Sequence, residues 1–132
     1  GCIKLIDPKA YWDKKRNIFG LVDPNYDLAK LNHSYRYLYD SVVNKLYSIK
    51  VNKNNVELTI YAPSEYDLVN NLFDQILINK NIDYDVLRYL TASLFISMLP
   101  LHVEDQDRFL CLAILGSIVF NKIDIRQFII QI

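Results

Sequence analysis

The chain has 132 residues, 52% of them hydrophobic and 23% charged, and its formal net charge is zero. That length suits one domain with an ordinary core, and the balance argues against disorder. Lys and Arg are interspersed with Asp, which speaks against the basic stripe of a nucleic-acid binder, and no uncharged run reaches the ~18 residues that a membrane span needs.

Cys2–Ile6 is a short apolar run ending at Asp7-Pro8. Proline disfavours helix at the residue before it, so the run reads as a strand. It has no lead-in, and the chain is expected to begin inside something larger. A polar loop is predicted from Lys9 to Asn17, then a second short strand at Ile18-Phe19-Gly20. After the turn Asp23-Pro24-Asn25, the apolar positions Leu28, Leu31, Tyr35, Leu38, Tyr39, Val42 and Leu46 recur at spacings of three and four. They predict one long helix from Tyr26 to about Tyr47. Val56–Tyr61 alternates as a strand does, with Ile49–Val51 as its hairpin partner across the turn Asn52–Asn55.

Pro63-Ser64 is expected to open the next helix. Asp67 stands three residues beyond Ser64, as in a capping box, and Leu68, Leu72, Phe73, Ile76 and Leu77 form the buried face. Asp83 is placed to cap a strongly apolar helix that runs to Leu99 and stops at Pro100. Glu104 and Asp105 start another helix, where negative charge is favoured. Its segment Phe109–Phe120 is apolar on nearly every side and should be central. Gly116 within it loses about 1 kcal/mol of helix propensity relative to Ala, a deficit that close helix packing offsets. Asp124 caps a last short helix through Ile130. The expected fold is mainly α (α+β), with one or two short β-hairpins, as a single domain over residues 1–132.

Cys2 and Cys111 share no CxxC spacing, and neither a disulfide framework nor a zinc site is implied. Cys111 sits in an apolar run and reads as a buried small hydrophobe. The cysteine usage fits a reducing, cytoplasmic compartment. Leu5 stands where the myristoylation pattern wants Ser or Thr, so Gly1-Cys2 is not read as an acylation signal. Lys14-Lys15-Arg16 reads as a solvated loop. His33 has no nameable hydroxyl to activate and reads as a surface or packing histidine. His102, beside Glu104 and Asp105, matches no ligand spacing. Tyr35 and Tyr39 read as a core face of the long helix, and Asp83 and Asp85 as caps.

Two segments carry chemistry. In the first, the apolar run ends in Asp7, a position that lifts a hard oxygen ligand out of a core and suits Mg²⁺. Taken alone, it reads more readily as a turn cap, since Asp-Pro turns are ordinary. In the second, Val22-Asp23-Pro24-Asn25-Tyr26-Asp27-Leu28-Ala29, an acid in a turn precedes an acid in the first turn of a helix. Taken alone, this reads as capping.

In this order, with Asp7 and Asp27 20 positions apart, the two segments resemble the aminoglycoside phosphotransferase and choline kinase superfamily, whose fold is protein-kinase-like. The phrase from Tyr26 to Asp40, with Lys30-Leu31 and His33-Ser34, looks most like phosphotransferase-like proteins of bacterial capsule and surface-polysaccharide biosynthesis. The resemblance implies the helical C-terminal lobe of a larger enzyme. In it, Asp7 is a metal ligand, and Asp23 and Asp27 brace the catalytic loop. Mg²⁺ and ATP are the implied cofactors of the parent enzyme, and the implied partner is a small-molecule acceptor carrying a hydroxyl. Val22 departs from the family's usual Gly.

The chain's three glycines form no GxGxxG, and no His-Gly-Asp loop precedes Asp7. The N-terminal nucleotide lobe and the catalytic loop are therefore expected to lie outside the sequence, and the segment alone should be inactive. A homodimer through the edge left open by the missing part is a further expectation. The alternative reading is a non-catalytic helical module that binds a partner protein.

Overall fold

A computed structural model of the chain describes residues 12–13, 18–19 and 24–132. The predicted strand at Cys2–Ile6 and the Lys14-Lys15-Arg16 cluster lie outside them. Two short strands, β1 (Trp12–Asp13) and β2 (Ile18–Phe19), pair antiparallel with Trp12 opposite Phe19. The second falls where the sequence places it, whereas the first lies inside the expected Lys9–Asn17 loop.

Helix α1 (Pro24–Leu31) begins on the proline, whose fixed φ and missing N–H suit the first helical position. The long helix expected to reach Tyr47 is not continuous. Asn32–Arg36 forms a wider π turn, closed by the Tyr37 amide donating to the Asn32 carbonyl at 3.1 Å. Leu38 then adopts φ 54°, in the left-handed region, and a short helix, α2 (Tyr39–Val43), follows. The wider turn rotates everything after it relative to a regular helix. Asn32, His33, Leu38 and Val42 therefore point inward, while Leu31, Tyr35 and Leu46 are exposed. Tyr35 is no part of a core face, although Tyr39 packs against the core.

Strands β3 (Tyr47–Asn52) and β4 (Asn55–Ala62) form the expected hairpin, with Tyr47 opposite Ile60. Helices α3 (Tyr66–Asn79), α4 (Tyr84–Met98) and α5 (Gln106–Phe120) follow. A 3₁₀ turn at Leu99–His102 carries Pro100 near its start. A second 3₁₀ turn, Ile125–Phe128, leads into β5 (Ile129–Gln131), which pairs parallel to β4 with Ile60 opposite Ile129. The last short helix expected through Ile130 is thus one 3₁₀ turn and an edge strand. The consecutive β-branched Ile129 and Ile130 after Phe128 suit a strand better than a helix. The sheet order is β3-β4-β5, with the helices supplying the crossover that a parallel pair requires. The described chain is mainly helical, with a small three-stranded sheet.

The main core lies between β4 and α5. Leu58, Ile60 and Ala62, alternate residues of β4, meet Cys111, Leu112, Leu115, Ile118 and Val119, together with Ala92 and Phe95 of α4. The strand period of two and the helix period of 3.6 both bring their apolar residues to this layer. Burial pushes the Cys111 thiol up to about 12, which keeps it an inert hydrophobe. A smaller cluster of Ala29, Phe73, Leu77 and Leu87 joins α1, α3 and α4. A Cβ on Gly116 would lie 3.2 Å from the Phe95 Cβ and 3.3 Å from the Ile96 Cδ1, so glycine permits the close approach of α5 to α4.

The Asp83 carboxylate accepts from the amides of Asp85 and Val86, and that of Asp105 accepts from the Arg108 amide. Asp124 caps the last 3₁₀ turn through the Arg126 amide. These caps are those expected from sequence, but the Ser64–Asp67 box does not form. Helix α3 starts at Tyr66 without a side-chain cap, and the Asp67 carboxylate instead accepts from Gln131 of β5 at 2.6 Å.

Helix α3 also buries a different face from the one expected. Tyr66, Asn70, Phe73 and Leu77 point inward, while Leu68, Leu72 and Ile76 are exposed. The amphipathic pattern is ambiguous because two apolar stripes run along this helix, and Phe73 and Leu77 are shared with the smaller core.

Candidate functional site

Asp7 and Asp23 lie outside the described residues. Asp27 stands in the first turn of α1 and is exposed. There its carboxylate faces the positive end of the helix dipole. The described residues bring no loop against it that it could brace.

The polar groups that the structure does assemble come from positions the sequence reading passed over. They follow directly from the π turn. By rotating the chain inward, it buries two polar residues, Asn32 and His33, at 4% and 6% exposure. The Asn32 Nδ2 donates to the Thr91 hydroxyl of α4 at 3.0 Å, and that hydroxyl donates in turn to the Leu87 carbonyl at 2.8 Å. With its one proton committed, Thr91 can only accept from Asn32, which fixes the orientation of the amide. The Asn32 Oδ1 is left buried without a partner.

His33 lies between two rings, its centroid 4.3 Å from that of Tyr39 and 4.1 Å from that of Phe95. Its Nε2 is buried and unpaired. Desolvation, reinforced by the nearby Lys30 charge, lowers its pKa to about 4. His33 is therefore a neutral packing histidine.

The last residue of the π turn, Arg36, is a clamp. Its Nε donates to the Asn70 Oδ1 at 3.3 Å, and its terminal nitrogen pairs with the Asp74 carboxylate. The guanidinium sits over the Phe73 ring, 5.7 Å from its centroid. Asn70 and Asp74 are four residues apart on α3, so both face the turn. The Tyr66 hydroxyl donates to the Arg36 carbonyl at 2.8 Å, and the Tyr84 hydroxyl to Asp74 at 3.1 Å. Burial pushes both phenols above their ordinary range.

Arg36, Tyr66, Asn70 and Asp74 border a cleft of about 240 Å³ that also reaches Tyr37, Asp124 and Arg126. Two of its acids are ion-paired, Asp74 with Arg36 and Asp124 with Arg126, and the Asp67 carboxylate accepts from the neutral Gln131 amide. Among the described residues, the cleft is a polar seam that joins the π turn, α3 and the last 3₁₀ turn.

His102 sits between an arginine and a carboxylate. Its Nδ1 lies 3.5 Å from an Arg108 nitrogen and 3.9 Å from the Glu104 carboxylate. Among the described residues, no group of three or more His, Cys, Asp or Glu side chains could hold a metal ion.

The seam had two signals in the sequence. Asn32-His33 interrupts an apolar helical pattern at inward positions, and Asn70 and Asp74 carry the four-residue spacing of a shared helix face. No model of a protein family, no curated protein and no solved structure matches this chain.

Proposed function

We propose that this chain is the C-terminal, helical part of an ATP-dependent phosphotransferase. The reaction moves the γ-phosphoryl group of ATP to the hydroxyl of a small molecule, a sugar or an amino alcohol, in the synthesis of surface polysaccharide. One observation carries the reading. Asp7, Asp23-Pro24 and Asp27-Leu28-Ala29 occur in the order and at the spacing of the resembled superfamily. In support, α1 opens on Pro24 and holds Asp27 in its first turn, as a helix-opening brace requires.

In such a transfer, catalysis is mainly positioning and charge neutralisation. Asp7 would hold Mg²⁺, which neutralises phosphate charge when bound. Asp23 and Asp27 would position the loop that orients the acceptor. The chain contains no glycine-rich loop, so alone it is expected to transfer no phosphate.

The test is Asp7→Asn in the protein that carries this chain, assayed for Mg-ATP-dependent phosphorylation across sugars and amino alcohols. Turnover should be lost while the far-ultraviolet circular dichroism is unchanged. Near-normal turnover in the variant refutes the assignment. The exposed ridge on α3 favours a second reading, a non-catalytic module that binds a protein. That reading gains if no acceptor is phosphorylated by the unaltered protein.

A further inference from the structure

Helix α3 is apolar on two sides, and the fold uses one. Leu68, Leu72 and Ile76 are 61%, 52% and 50% exposed. Their spacing of four places them one above another, so they form a single ridge and not scattered surface residues. Glu65 immediately precedes α3 and Lys80 immediately follows it. Neither side chain has an ion-pair partner among the described residues.

We propose that this ridge docks a second copy of the chain, with the two α3 helices antiparallel across a two-fold axis at Leu72. In that arrangement, Leu68 of each copy meets Ile76 of the other, and Leu72 meets its own mate. Glu65 lies seven positions before Leu72 and Lys80 eight positions after it. Each acid therefore falls opposite the other copy's base, at both ends of the contact.

A parallel pairing would set Glu65 on Glu65 and Lys80 on Lys80, so the charges select the antiparallel one. This is the self-complementarity that a two-fold interface demands, because one patch must serve as both partners. A foreign partner would need the ridge but would not require opposite charges at its two ends. The inference is independent of the phosphotransferase reading, since no residue of the ridge belongs to the segments that carry it.

Sedimentation equilibrium of the chain from about 5 to about 500 μM tests the proposal, because that span covers the affinities expected of a small apolar contact. The unaltered chain should show a reversible monomer–dimer equilibrium. Leu72→Gln, a change at an exposed site on the axis that occurs twice per dimer, should weaken it about 100-fold. Glu65→Lys and Lys80→Glu should each weaken it about tenfold at low salt, and the double variant should return to within about threefold of the original. The charge swaps leave the ridge intact, so they test the antiparallel register separately from apolar burial.

A dimer that Leu72→Gln leaves unchanged, or a double swap as weak as the single ones, overturns the proposal. So does a monomer at every concentration, whether the ridge then serves another protein or another segment of this chain.

Discussion

Acidification should weaken the fold through His33. In the folded chain its pKa is lowered to about 4 from an ordinary 6.5, because the ring is desolvated between Tyr39 and Phe95 and faces the Lys30 charge. Between those two values, the unfolded chain binds a proton that the folded chain refuses. The stability tied to neutral His33 is therefore complete above about pH 6.5 and drains away as the pH falls toward 4. From pH 7.5 to 4.5 the loss is about 2.5 kcal/mol, a large share of the 5–15 kcal/mol of a typical domain.

The ion-paired and capping carboxylates do not obscure this window. The carboxyls of Asp85, Asp105 and Asp124 are held below 3.8 by bonds from Lys122, from the Arg108 amide and from Arg126, respectively. Their contribution is lost only at lower pH still. Urea titrations at several pH values between 7.5 and 4.5 measure the slope. His33→Phe, which keeps an aromatic ring between the same neighbours and cannot titrate, should flatten it. A stability constant to within about 0.5 kcal/mol across the window, or a slope that survives in His33→Phe, refutes the reasoning.

Thr91→Val removes the only hydrogen-bond partner that the Asn32 amide has among the described residues, leaving it buried with neither end paired to them. A loss of about 2 kcal/mol is expected. Adding Asn32→Leu should recover at least half of that loss, and a strictly additive double variant in urea titration would rule out the proposed pair. Gly116→Ala gains about 1 kcal/mol of helix propensity. Against this, the new methyl meets the Phe95 Cβ at 3.2 Å, an atom fixed to the backbone of α4, at an overpacking cost of about 1–3 kcal/mol. The net should be a melting temperature lower by roughly 4 °C, and a rise would mean that α4 yields freely.

Most elements were legible because they rest on local rules. Asp83, Asp105 and Asp124 cap as any short acid before an apolar helix does, and β4 alternates as a half-buried strand must. Gly116 announces close packing because nothing else explains a glycine within so apolar a helix. The break after Leu31 was not legible. Its cause is a bond from Asn32 to Thr91, 59 positions away, together with a ring stack that spans as far. No local pattern encodes such a bond, and the apolar spacing through Val42 runs on as if the helix continued. The strand β5 was hidden for the same reason, since three residues become a strand only beside β4.

The candidate chemistry divides along the same line. The sequence by itself determined the order and spacing of Asp7, Asp23 and Asp27, the caps, the hairpin and the apolar character of α5, because each depends on residues close together in the chain. Only the tertiary structure decided which of two apolar stripes on α3 is buried and which stands free, that His33 is held neutral, and that Arg36 clamps Asn70 and Asp74. A stripe is interior or exterior only relative to what packs on it. A buried polar group takes its character from neighbours that sequence distance does not reveal.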